Sequence, residues 1–224
     1  MEITLQPLPG AEREARAIAG LFGDGVGPGD TTPTLLLGPA ADWATVVAQM
    51  PRHGIVHLAT HGLANARDPL ASFVALGVPK PSTLEALHQR QGSLNWPQTR
   101  FFSQFLDSQG ASGLLTAEQI LYLPLPADLV TLSACQTGLG QISGDGMIGL
   151  ARSFLVAGAR AVLVSQWSVS DEATAELMLA FYRHYLALDD KALALQRAMQ
   201  ELRAREEYAH PRYWAPSVVV GAEA

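Results

Sequence analysis

The 224-residue sequence predicts an α/β fold with a mostly parallel central sheet covered by helices. Three observations carry that prediction. Short β-rich runs alternate with longer helical patterns, the order that generates parallel strands joined by helical crossovers. Several of those runs are apolar at consecutive positions, so both of their faces must be buried, as in a sheet sandwiched between helices. At 48% apolar and 16% charged residues, the chain has ordinary globular composition and can bury one sizeable core.

The elements follow in order. A helical pattern lies near 11–22, and the Gly/Pro-rich stretch 23–33 ("GDGVGPGDTTP") reads as a loop. "TLLLG" (34–38) reads as a strand and is followed by a helical pattern near 41–50. "GIVHLAT" (54–60) and "ASFVALG" (71–77) are strand-like, as are "LVTLSA" (129–134), "AVLVSQW" (161–167) and "SVVVG" (217–221). Helices are predicted near 116–122, 145–157, 171–188 and 190–206. No internal repeat is visible.

The segment between Gly77 and Thr116 is too long for an ordinary connection. It is not low in complexity. "STLE" (82–85) resembles a capping box, and Phe101, Phe102, Phe105 and Leu106 fall on one helical stripe. We read one domain over 1–224 with an insertion at about 79–113 that has structure of its own.

Composition narrows the function classes. The net charge of −6, with no block of Lys and Arg, argues against a nucleic-acid partner. A single cysteine excludes an intrachain disulfide and fits a reducing, cytoplasmic setting. The opening "MEITLQPLPGAEREAR" lacks the basic start and apolar core of a secretory segment. The most apolar region, 150–167, is interrupted by Arg152 and Arg160, so no membrane span is expected.

His53, His57 and His61 are spaced by four, which suggests a metal site only if they lie on a helix. "RHGIVHLATHG" is strand-like, and four residues of strand span roughly 13 Å, so three imidazoles cannot share one ion. No metal or cofactor is expected. His57 lies inside the strand and reads as a satisfied core histidine. His61 follows the strand's end and precedes Gly62, where the chain must leave the sheet. The carboxyl ends of strands line the ligand crevice in open α/β sheets. Cys135 stands in the same kind of position, one residue past "LVTLSA". If the two strands are parallel neighbours, His61 and Cys135 emerge on one rim.

A thiol and an imidazole together can perform covalent acyl chemistry, the thiolate as nucleophile and the imidazole as general acid–base. Gly62 and the turn at Cys135 can offer N–H groups to an oxyanion. Taken alone, Cys135 is as readily a small core residue, since free cysteine is among the most buried residue types. The glycines of "TGLGQISG" offer a rival, a dinucleotide-binding turn. No acidic residue ends the next strand, where Gln166, Trp167 and Ser168 stand, and no Gly-Lys-Ser/Thr follows.

"IVHLATHG" (55–62) and "VTLSACQTGLG" (130–140) resemble the two hallmark motifs of the CHAT domain, a caspase-like cysteine peptidase family related to separase. The similarity continues through 144–178 and 210–221, and 8–23 resembles the usual start of such a domain. The resemblance implies a caspase-like α/β/α sandwich with His61 as catalytic histidine and Cys135 as nucleophile. The N–H groups of Gly62 and Cys135 would form the oxyanion hole. It also implies a protein substrate, with bacterial relatives linked to defence and to cleavage of pore-forming gasdermin-like proteins or other effectors. An upstream sensor or repeat region is the implied partner. "SQWSVSDEAT" resembles a segment that in separase-like relatives supplies an acidic substrate-binding residue, here Asp171. Ser170, Asp171 and Glu172 equally open a helix, where caps and acidic residues belong.

Two features depart from the family pattern. His61 and Cys135 are 74 positions apart, more than is typical, and Ser168 follows Trp167 where Pro or an acidic residue is common. The competing functions are a docking module that keeps the fold without activity and, on the glycines alone, a nucleotide-binding domain.

Overall fold

The computed structural model describes residues 8–23, 32–63, 65, 68–77, 113–134, 144–167 and 169–222. Its helices are α1 (Pro9–Gly23), α2 (Trp43–Gln49), α3 (Ala117–Ile120), α4 (Gly144–Val156), α5 (Asp171–Leu188) and α6 (Lys191–Arg203). Its strands are β1 (Ile55–Thr60), β2 (Gly62–Leu63), β3 (Phe73–Ala75), β4 (Leu114–Thr116), β5 (Leu129–Ala134), β6 (Ala161–Ser165) and β7 (Ser217–Gly221).

The central sheet has the order β1-β5-β6-β7. β1, β5 and β6 are parallel, and β7 closes the edge antiparallel to β6. The two-residue period of the strands sorts their side chains between two cores. Val130, Leu132, Val162 and Val164 pack with Trp43 and Val47 of α2 and Phe154 of α4. Leu129, Ala161 and Leu163 pack on the other face with Ile18 of α1, Phe181 of α5 and Leu195 of α6. The result is an α/β/α sandwich, as the doubly apolar strands required. Among the described residues, no helix is long and apolar enough to cross a membrane.

Local chemistry sets the helix ends. Ser170 caps α5 by accepting from the Ala173 N–H, and Asp171 and Glu172 occupy its first turn. Asp190 caps α6 by accepting from the Leu193 N–H at 2.8 Å. Thr116 and Gln119 form a reciprocal capping box on the short α3.

Helices α1 and α5 run side by side in the same direction. Gly10 sits against Asp171, and a dozen residues on, Phe22 meets Tyr182 edge-on with ring centroids 5.9 Å apart. A Cβ at Gly10 would lie 2.7 Å from the Asp171 Cβ, an atom too close to its own backbone to swing aside. Gly10→Ala is therefore expected to displace the start of α1 and cost about 1–3 kcal/mol, read by denaturant unfolding. An unchanged midpoint would mean that α1 slides freely on α5.

Three expectations are corrected. "TLLLG" is not a strand: residues 32–37 lack regular structure, and Gly38–Ala40 form a 3₁₀ turn. No described strand pairs with it, and while Leu36 reaches the core, Leu35 remains 39% exposed. β propensity without a ladder partner does not make a strand. The strand expected over 71–77 shrinks to Phe73–Ala75 and leaves the central sheet. It pairs with β2 and β4 in a three-stranded antiparallel sheet. A 3₁₀ turn at Pro69–Ala71 delays its start. Beyond its end, the Gly77 N–H donates to the Ala41 carbonyl and the Gly77 carbonyl accepts from Trp43. The helix expected over 190–206 ends at Arg203, and a separate 3₁₀ turn covers Glu206–Tyr208. Of the expected insertion, residues 79–112 lie outside the described residues.

Candidate active site

β1 and β5 are in-register parallel neighbours. Their pairs run from Ile55–Leu129 to Thr60–Ala134 at the carboxyl edge. His61 is the next residue after Thr60, and Cys135 the next after Ala134. Cys135 itself lies outside the described residues, as do the glycines at 138 and 140.

His61 is the single residue between β1 of the central sheet and β2 of the smaller one, and it is only 8% exposed. The crossing is held by two contacts to β3. The Thr60 hydroxyl donates to the Ala75 carbonyl, and the Ala75 N–H donates to the His61 carbonyl at 2.8 Å. The second bond fixes the character of the next pair. Gly62 faces Val74 in antiparallel register, and the bond from Ala75 to His61 makes this a pair that exchanges no ladder hydrogen bonds. The Gly62 N–H therefore points away from β3. A donor of that kind, buried beside a histidine, can serve a developing negative charge.

His57 proves to be a core residue, as its place inside the strand suggested. Its Nε2 lies 2.9 Å from Glu14 Oε1 of α1, and its Nδ1 lies 3.2 Å from the Tyr182 hydroxyl of α5. The Tyr182 oxygen is also 2.8 Å from Thr131 Oγ1 of β5. With the proton on Nε2, every contact has one donor and one acceptor: His57 to Glu14, Tyr182 to Nδ1, Thr131 to the phenolic oxygen. Burial pushes the Tyr182 phenol well up from its ordinary value, against the hydrogen bond from Thr131, so it remains a neutral donor. The network ties α1, β1, β5 and α5 together. Both ring nitrogens of His57 are engaged there, which removes His57 from chemistry at the rim.

Sequence reasoning missed Glu14. Its signal was present: Glu14 falls one turn before Ile18 on the apolar stripe of α1, and a carboxylate on a buried stripe demands a partner.

Asp171 is the first residue of α5, at the carboxyl end of β6, the strand next to β5. Its side chain packs on Gly10 in the first turn of α1, where an acidic group complements the positive end of the helix dipole.

A family model described as "CHAT domain" matches residues 1–222. Tetratricopeptide repeat protein 28 of Homo sapiens is 30% identical over 229 residues, covering 97% of this chain but 8% of the human protein. The Mus musculus protein of the same name is 29% identical over 229 residues, covering 97% of this chain and 9% of that protein. The chain thus spans less than a tenth of the length of these curated relatives.

Proposed function

The chain belongs to the CHAT domain family, a caspase-like, peptidase-related group, and on that premise we propose that it is a cysteine endopeptidase acting on a protein partner. The observation that carries the reading is the register at the carboxyl edge. The last rung, Thr60 with Ala134, precedes His61 on one strand and Cys135 on its neighbour by one residue each.

In this reading His61 takes the proton of the Cys135 thiol, and the sulfur attacks the scissile carbonyl carbon. The carbonyl oxygen becomes an oxyanion held by the N–H groups of Gly62 and Cys135. Collapse of that intermediate breaks the C–N bond, and His61 returns the proton to the leaving amine. Water, deprotonated by His61, then attacks the thioester, releasing the acid product and the thiol. No cofactor enters these steps. The outward-pointing N–H of Gly62 supports its part in the oxyanion hole.

The substrate class remains a folded or disordered protein, with gasdermin-like pore formers and other effectors of bacterial defence as the family precedents. The repeat-protein relatives support a repeat segment as the domain's partner. The second reading is a docking module without activity, carried beside such a repeat segment. A reducing, cytoplasmic setting suits a single functional thiol. The deciding experiment is labelling with a thiol-reactive peptide ketone followed by mass spectrometry. Modification confined to Cys135 and abolished in His61→Ala supports the peptidase; an inert Cys135 in the folded protein leaves the docking module.

Asp171 has two assignments, an acidic contact to a cationic substrate side chain or the opening of α5. The Ser170 cap and the packing on Gly10 support the second. Asp171→Asn keeps size and removes charge. A cleavage preference for Arg or Lys that disappears in this variant would establish the first assignment. An unchanged preference is the expected result.

A further inference from the structure

One side chain from outside the central sheet bridges the two strands that lead to the rim. His57 of β1 and Thr131 of β5 are register partners. Each stands four residues before a proposed catalytic residue, His57 before His61 and Thr131 before Cys135. The Tyr182 hydroxyl lies 3.2 Å from His57 Nδ1 and 2.8 Å from Thr131 Oγ1, so a single oxygen joins the strands. Tyr182 and Thr131 are fully buried. The phenol ring meets His57, Phe22 and Phe181 edge-on, with centroids 5.5, 5.9 and 5.1 Å away, which leaves its hydroxyl little freedom to move. Phenylalanine would fill the same space. The hydroxyl adds a desolvation cost that its two hydrogen bonds must offset.

The ladder by itself restrains β1 lightly. Among the described strands β5 is its one neighbour in the central sheet, and parallel pairing is the slightly weaker kind per residue. At the next rung on the same face, Ala59 and Ser133 are small and offer little packing across the pair. Past Thr60 the chain leaves for the second sheet, where Thr60 and His61 are bonded to Ala75. The end of β1 is thus held by a body other than the central sheet, whereas Cys135 follows a strand at that sheet's centre. Their spacing depends on how firmly β1 is fixed to β5. Apolar contacts are non-directional and permit small slides, but a hydrogen-bonded bridge sets distance and angle together.

We propose that Tyr182 is a positioning residue, whose hydroxyl locks β1 to β5 and so sets the spacing of His61 from Cys135. The role rests on the peptidase reading, in which the thiol and the imidazole must meet for proton transfer.

Three variants test it beside the wild type. Tyr182→Phe removes the bridge and keeps the ring. Thr131→Val removes its β5 half and keeps the shape. Leu195→Ala, in the same core but on α6, controls for destabilisation alone. Each is assayed at a temperature where circular dichroism shows it folded. The two readouts are turnover of a fluorogenic peptide library and the rate of Cys135 alkylation by iodoacetamide at neutral pH. In Tyr182→Phe and Thr131→Val, kcat on the best peptide is expected to fall about 10–100-fold with KM within about twofold, as for a reacting group displaced by about 1 Å. Alkylation is expected to slow roughly tenfold, because a thiol farther from its imidazole holds less thiolate. Leu195→Ala is expected to match the wild type in both. Wild-type kcat in the two bridge variants, or an equal loss in Leu195→Ala, would overturn the positioning role and leave the peptidase. A wild type without turnover whose alkylation still slows in the bridge variants would overturn the peptidase reading and leave the bridge. Neither turnover nor any difference in alkylation would overturn both.

Discussion

Cys135→Ala is expected to reduce peptide cleavage to background, on the order of 10⁶-fold, with the thermal midpoint close to wild type. On the peptidase reading Cys135 is the nucleophile, and its removal forfeits the covalent route. On the same reading His61→Ala is expected to lower kcat/KM roughly 10³-fold, the range for loss of a general acid–base, because the proposed nucleophile would then lack its proton acceptor. His61 is buried at the crossing between the two sheets, so circular dichroism and unfolding must accompany the kinetics. Activity retained in His61→Ala and lost in a well-folded His57→Ala would show that the two histidines had been given each other's roles.

The largest effect on stability is expected at His57. Its ring nitrogens face Glu14 and Tyr182, and the His57 and Glu14 side chains are only 10% and 4% exposed. His57→Ala leaves the Glu14 carboxylate buried without its donor and opens a cavity beside Tyr182, a cost of about 3–5 kcal/mol. For a domain of this size that corresponds to a fall in Tm of roughly 10 °C. Glu14→Leu combined with His57→Leu should recover most of the loss, since replacing a buried pair by apolar residues of similar volume is close to neutral. A double variant no more stable than His57→Ala alone would show that the cost lies in packing around Tyr182 and not in the stranded charge.

Much of this arrangement was legible along the chain. Doubly apolar runs at 129–134 and 161–165 could only be central strands, and the helices expected near 171–188 and 190–206 are there as α5 and α6, the second ending three residues early. The place of His61 at a strand's end followed from the glycine after it. These features are local: a period, a cap or a breaker acts within a few residues, so the sequence states it directly.

What depended on distant partners was not legible. The leucines of "TLLLG" have β propensity, yet a strand exists only where another offers a ladder, and none of the described strands does. β3 looked like one more central strand until its pairing with β2 and β4 put it in a second sheet. Glu14 and His57 are 43 positions apart, and only the packing of α1 on the sheet joins them. The serines at 133, 165 and 217 are unremarkable one by one in the sequence. They meet at the sheet's carboxyl edge because β5, β6 and β7 are adjacent at matching heights, and strand order and register are settled by the burial of the whole sheet between its helices, not by any one strand.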